Sequence, residues 1–259
     1  MTVLCYHAVD PVWAAPLSVT PEALEQQMGW VARARTVLPL REAVGRLDGS
    51  WRLPRGHAAL TFDDGFASVY DHAFPILARH QLPATVFLVA ETLTPEGRAV
   101  DWVDEPSARP LTTLTLEQVR EMQAAGVDFQ SHSYSHLDLT TLSYEECRAD
   151  LRRSRELLSD LLHDDVAMLA YPRGRHDETV RRAAADAGYR QAFSLPEAPE
   201  GPTSLAIPRV GVWHRNGPFA LRVKAARPYL PLRQGKAASA AARLTRTMAG
   251  TVRPKRGGN

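Results

Sequence analysis

Two short stretches carry side chains whose types and spacing could do chemistry. The first is Asp63-Asp64-Gly65, directly after the apolar run 58–62. Adjacent carboxylates at a strand end repel each other unless something uses them. Their side chains point in different directions, so one can bind a metal while the other handles a proton. A capped turn accounts for the same residues, because Asp-Gly is a common turn pair. The second stretch is His132-Ser133-Tyr134-Ser135-His136. On one turn of helix, or a helical loop, a spacing of four puts both imidazoles on one side. Neutral imidazole suits borderline divalent metals such as zinc. With a carboxylate from the other strand end, the set reads Asp-His-His. Three protein ligands and an open position describe a catalytic metal site rather than a closed structural one. The two cysteines, Cys5 and Cys147, form no CxxC pair and offer no structural zinc set.

Such residues need strands that end beneath them. Residues 2–6, 58–62, 84–89, 127–130, 166–171, 189–194 and 205–212 read as short buried strands. Helices are expected between them. Thr20 caps one with Pro21 at its first position, and Leu24, Met28 and Val31 give it an apolar face. Others are expected over 39–47, over 69–80 and from Thr115 to Ala125, where Gly126 stops the last. Ser143 and Glu146 form a capping box for a helix over 144–162, and Asp177 caps one that runs to Ala187. Residues 91–113 lack periodicity and are expected as a loop over one end of the fold. Strands alternating with helices describe an α/β protein with buried parallel strands. Unusual side chains recur at the C-terminal ends of the strands, where barrels place their chemistry. A barrel and an open doubly wound sheet both fit.

The chain of 259 residues is 44% apolar and 23% charged, an ordinary globular balance. No apolar run approaches the ~20 residues that cross a bilayer. The N-terminus lacks the features of a secretory signal, which leads us to expect a cytoplasmic protein, peripheral to the inner face of the membrane. Charge is unevenly placed. Residues 222–259 hold 10 basic residues and no acidic one, whereas the rest carries 21 basic against 29 acidic. The acidic body gives no reason to expect nucleic-acid binding. The division expected is one domain over 1–220 and a basic, Ala-rich tail over 221–259, partly helical or disordered, that could touch an anionic membrane. No GxGxxG, phosphate loop or Gly-x-Ser-x-Gly is present.

Together, Thr61-Phe62-Asp63-Asp64-Gly65 and His132-Ser133-Tyr134-Ser135-His136 resemble the first two motifs of the polysaccharide deacetylases, the NodB-homology group or carbohydrate esterase family four. Leu4-Cys5-Tyr6-His7-Ala8-Val9 and Ser18-Val19-Thr20-Pro21-Glu22 resemble one branch of that group. The resemblance covers roughly residues 2–215 and implies a distorted (β/α)7 barrel. It implies Asp63 as catalytic base, Asp64, His132 and His136 as metal ligands, and Ser133 as a support of their loop. The metal implied is zinc, with cobalt, nickel or manganese as alternatives. In the third motif Pro172 and Gly174 match, but Ala170 stands where an arginine would pair with the base. Arg209, from a late strand, is the substitute cation expected, and an Arg209–Asp63 contact is the consequence. For the general acid, His214 and His7 compete. Tyr171 and Trp213, with Pro172 and Gly174, are the expected sugar-binding residues. The implied reaction is hydrolysis of an N-acetyl group on an amino sugar, polysaccharide or glycolipid precursor. An O-deacetylase, a sugar deformylase or amidase, and a non-catalytic carbohydrate-binding relative are the alternatives.

Overall fold

The computed structural model describes residues 3–49, 51–105, 107–196, 200–226 and 229. Its strands are β1 (Val3–Tyr6), β2 (Ala8–Val9), β3 (Ser18–Val19), β4 (Thr36–Val37), β5 (His57–Phe62), β6 (Thr85–Leu88), β7 (Asp128–Ser131), β8 (Met168–Ala170), β9 (Gln191–Ser194) and β10 (Ile207–Gly211). Its α-helices are α1 (Pro21–Ala34), α2 (Leu40–Gly45), α3 (Phe74–Arg79), α4 (Leu116–Ala124), α5 (Tyr144–Leu162), α6 (Glu178–Asp186) and α7 (Pro218–Lys224). Strand β1 pairs in parallel with both β5 and β10, which closes β1-β5-β6-β7-β8-β9-β10 into a seven-stranded parallel barrel. The open-sheet alternative is thereby excluded. Strand β4 extends β5 outside the ring, and β2 pairs with β3 apart from it.

The helix boundaries follow from local hydrogen bonding. The Thr20 hydroxyl accepts from Ala23 N–H at 3.2 Å, with Pro21 in the first turn. Ser143 and Glu146 close a reciprocal capping box on α5, as Thr115 and Gln118 do on α4. Asp177 accepts from Val180 N–H at 2.8 Å at the start of α6. The expected helix over 69–80 is instead a π-turn, Val69–Ala73, followed by α3. Pro75 in the first turn of α3 has no N–H to give, so the helix proper starts beside it.

Strand parity sorts the side chains into two cores. Val3, Ala59, Phe87, Met168, Ala170, Phe193 and Ile207 meet in the inner cluster. Their strand neighbours Leu4, Leu60, Val86, Leu169, Ala192 and Val210 belong to the outer cluster, with α-helical residues such as Leu24, Leu151 and Val180. Side chains two residues apart share a face. The inward series therefore continues from Val3 to Cys5 and His7, from Ala59 to Thr61 and Asp63, and from Ile207 to Arg209.

Helix α7 belongs to the barrel body. Leu221 is fully buried in the outer core and Lys224 is 9% exposed. The division expected at residue 220 therefore cuts through a packed helix. The described body continues to residue 226, and of the expected tail all but residues 221–226 and 229 lies outside the described residues. Among the described residues, no helix is long and apolar enough to cross a membrane.

Candidate active site

After β5 the chain turns sharply. Asp64 has φ 70° and Gly65 φ 62°, and a Cβ on Gly65 would sit 2.8 Å from Leu88 Cδ2. This left-handed pair sends the two carboxylates to different partners. Asp63 is 1% exposed and held bidentately by Arg209, with NH1 to Oδ1 at 2.7 Å and NH2 to Oδ2 at 2.6 Å. Arg209 is fully buried, packed over the rings of Phe87 and Phe193, and also donates to Thr61 Oγ1 at 3.1 Å. In register it lies level with Val3 and Ala59, deeper in the barrel than Asp63, so its guanidinium reaches the Asp63 carboxylate from beneath. Cys5 Sγ, 3.3 Å away, donates to Asp63 Oδ2. Burial pushes the Asp63 carboxyl up, but the charge of Arg209 above all outweighs it and holds the group below the usual carboxylate range.

The Arg209–Asp63 contact expected from the sequence is present. Ala170 and Arg209 both face the barrel interior, so an inward cation can come from either strand. Here β10 supplies it where β8 offers only a methyl group.

The two histidines converge without a helix. Ser133 and His136 both adopt positive φ, at 68° and 55°. Ser133 Oγ accepts from His136 N–H at 3.0 Å, and Ser131 Oγ accepts from Ser133 N–H at 3.2 Å. Asp150 on α5 accepts from Tyr134 N–H at 2.9 Å and Ser135 N–H at 3.2 Å. His132 Nδ1 lies 2.8 Å from the Ala170 carbonyl, which makes Nδ1 the donor and leaves Nε2 as a lone pair facing the site.

His132 Nε2 and His136 Nε2 stand 3.4 and 3.1 Å from Asp64 Oδ1. That oxygen is buried and makes no aligned hydrogen bond. All three donor atoms lie within 4.8 Å of one another. A buried, unsatisfied carboxylate oxygen facing two imidazole nitrogens is costly by itself and fits a divalent cation. Burial pushes Asp64 up, while the two neighbouring imidazoles hold it well below the ordinary range. Cys5, His7 and Asp63 form a second close group. It is a poor ligand set: the Arg209 guanidinium already balances the Asp63 charge, and burial pushes the Cys5 thiol well up.

Asp63, Asp64, His132, His136 and His7 line one cavity of about 960 Å³. Trp102 stacks on His136 with centroids 4.9 Å apart, and Trp213 stacks on His7 at 5.5 Å. His7 is 7% exposed, with Nε2 4.0 Å from Asp63 Oδ2. Burial lowers its pKa, with the two aspartates opposing. His214 lines the same cavity, half-buried, with a buried Nδ1 that has no partner.

Three of the expected sugar-binding residues do not line the cavity. Tyr171 follows Ala170 and so points outward. It is fully buried, and its hydroxyl donates to the Leu205 carbonyl at 2.8 Å. Pro172 and Gly174 are buried in a tight turn, where a Cβ on Gly174 would meet Leu195 N at 2.5 Å. The turn presents Arg173 to the cavity instead, tied to Asp104 at 3.1 Å and to the Trp102 carbonyl at 3.0 Å. Trp102 and Asp150 were missed in the sequence. Trp102 lies in an aperiodic stretch, and Asp150 looks like one more polar position on an amphipathic helix.

The polysaccharide deacetylase family matches residues 52–192, more than half of the chain. YxkH of Bacillus subtilis is 26% identical over 195 residues, which cover 75% of this chain and 64% of that one, so the match spans less than two thirds of this relative. The poly-beta-1,6-N-acetyl-D-glucosamine N-deacetylase of Staphylococcus epidermidis is 26% identical over 208 residues, covering 74% of this chain and 67% of its own. The solved deacetylase PplD of Streptococcus pyogenes, in complex with acetate, aligns with TM-score 0.73 and 27% identity over 87% of this chain and 98% of that one. With both motifs meeting in one cavity of a closed (β/α)7 barrel and the family match running through each of them, this chain belongs to the polysaccharide deacetylase family.

Proposed function

We propose that this chain is a metal-dependent carbohydrate N-deacetylase, hydrolysing the acetamide of an N-acetylated amino sugar to a free amine and acetate. One observation carries this reading. A buried carboxylate, fixed by two hydrogen bonds from Arg209, stands beside an Asp-His-His set at the floor of a tryptophan-walled cavity. The N-deacetylase among the relatives and the acetate complex among the solved structures support the same substrate class.

Asp64, His132 and His136 would hold the ion, zinc first, with cobalt, nickel or manganese compatible with the same donors. When bound, the ion supplies Lewis acidity to the amide carbonyl and acidifies water. Asp63, kept ionised by Arg209, takes the proton of the attacking water. Oδ1 still has a second lone pair for it, since only one guanidinium N–H is recorded there. His7 gives a proton to the amide nitrogen as the C–N bond breaks, so the amine leaves neutral. Of the two candidate acids, His7 is favoured because it lies 4.0 Å from Asp63 and is held by a stacked ring. The Arg209–Asp63 contact supplies the cation absent at Ala170, which supports a catalytic chain over a non-catalytic carbohydrate-binding relative. Acetate release from N-acetylglucosamine oligomers by zinc-loaded protein tests the proposal. Release from O-acetylated sugars alone would transfer the reading to an esterase.

A further inference from the structure

The loop after β10 is held by more buried polar chemistry than a cavity wall needs. Trp213, which stacks on His7, sits in this loop over residues 212–217. Lys224 on α7 is 9% exposed, and its ammonium donates to the Gly211 carbonyl at 2.7 Å and to Asn216 Oδ1 at 2.5 Å. Asn216 Oδ1 also accepts from Trp213 N–H at 2.9 Å. From α1, the fully buried Gln27 donates to the Asn216 carbonyl at 2.6 Å and accepts from the Tyr6 hydroxyl at 2.9 Å. Tyr6 is the residue before His7. A closed circuit thus runs from the His7 backbone through α1 and α7 to the indole that covers the His7 ring. Gly211 is fitted to the same arrangement: a Cβ there would meet Trp213 Cζ2 at 2.3 Å, so the indole lies against the strand end itself.

We propose that Lys224, acting with Asn216 and Gln27, is a positioning residue that fixes Trp213 against His7 and so aims the His7 imidazole at the leaving nitrogen. Lys224 touches no reacting atom in this account, and it acts through the loop. The proposal rests on the reading of His7 as general acid. It does not follow from the family motifs, none of which includes α7. A buried ammonium that bridges a strand-end carbonyl and a side-chain amide has little freedom of its own. The order it imposes passes to the indole and then to the imidazole.

The test compares two leaving groups in Lys224→Met and in the milder Asn216→Ala. An N-acetylglucosamine oligomer loses an amine, which needs a proton from an acid. 4-Nitrophenyl acetate loses a stable phenolate, which does not. Loss of aim should lower kcat on the amide on the order of 10- to 100-fold, less than the roughly 10²–10⁴-fold that a fully removed acid would cost. KM should hold, and aryl ester turnover should fall less than about threefold. His7→Ala should show the same split. A crystal structure of the variant that still folds should show Trp213 displaced from His7. Equal losses on both substrates, or no loss on the amide, would overturn the proposal, as would an unmoved ring pair. If wild-type protein releases no acetate from the amide, the functional reading fails, and the variant structure alone still decides whether Lys224 sets the ring pair.

Discussion

Replacing Arg209 by methionine keeps the volume of the side chain and removes its charge and both hydrogen bonds to Asp63. Both partners are buried, at 0% and 1% side-chain exposure, so water cannot take over. Arg209 is the largest of the influences that lower the Asp63 pKa. Its loss should raise that pKa, since burial then acts unopposed by the nearest positive charge. In the proposed mechanism the carboxylate form is the base, so the acidic limb of the kcat/KM profile should move to higher pH. Stability follows with a definite sign. In the wild type the folded pKa lies below the unfolded value of about 3.9, so the contribution is present above about pH 4 and lost as pH falls through the folded pKa. The variant loses that contribution and leaves a buried carboxylate unpaired, a cost of about 3–5 kcal/mol near pH 7. Adding Asp63→Asn should recover much of the stability and none of the activity, because an apolar or neutral pair tolerates burial where a lone charge does not. Urea denaturation at several pH values and steady-state profiles measure both effects. An unshifted acidic limb together with a stability loss below about 1 kcal/mol would refute the reasoning.

Asp64→Ala and His136→Ala should each reduce bound zinc strongly while the barrel stays folded, as read by metal analysis and circular dichroism. Gly174→Ala should destabilise by at least about 1 kcal/mol, because φ is +68° and the added Cβ would meet Leu195 N at 2.5 Å; thermal melting checks this. Deleting residues 236–259 should leave turnover of a soluble substrate nearly intact and weaken any salt-dependent association with anionic lipid vesicles, measured by flotation.

The parts of the fold written in local signals were legible in the sequence. Thr20, Thr115, Ser143 and Asp177 each cap the helix they announced, because capping is a contact within a few residues. The strand ends that carry Asp63, Asp64 and His132 were equally clear, since apolar runs stop there. The strand pattern alone left closure open, because closure depends on β1 pairing with both β5 and β10 across the whole chain; the motif resemblance implied the barrel, and the structure has it. Tyr171 shows the limit at the site. Its type suited a sugar pocket, but its parity relative to Ala170 turns it outward, and parity is fixed only once the barrel's inner face is known. Arg209 is legible as a late-strand cation that can replace the one absent at Ala170. Lys224 and Asp150 could not be found in that way, since each acts on a loop distant in sequence or on backbone N–H groups that carry no residue signature.

In the proposed mechanism Asp63 takes the proton from water beside a metal held by other residues. The most direct measurement is acetate release from an N-acetylglucosamine oligomer by Asp63→Asn and wild-type protein at equal, verified zinc content. Unchanged zinc stoichiometry is expected, with a loss of kcat on the order of 10²–10⁴-fold, since the carboxamide keeps the shape but cannot accept the proton. Wild-type turnover by zinc-replete Asp63→Asn would contradict that mechanism and place the base elsewhere.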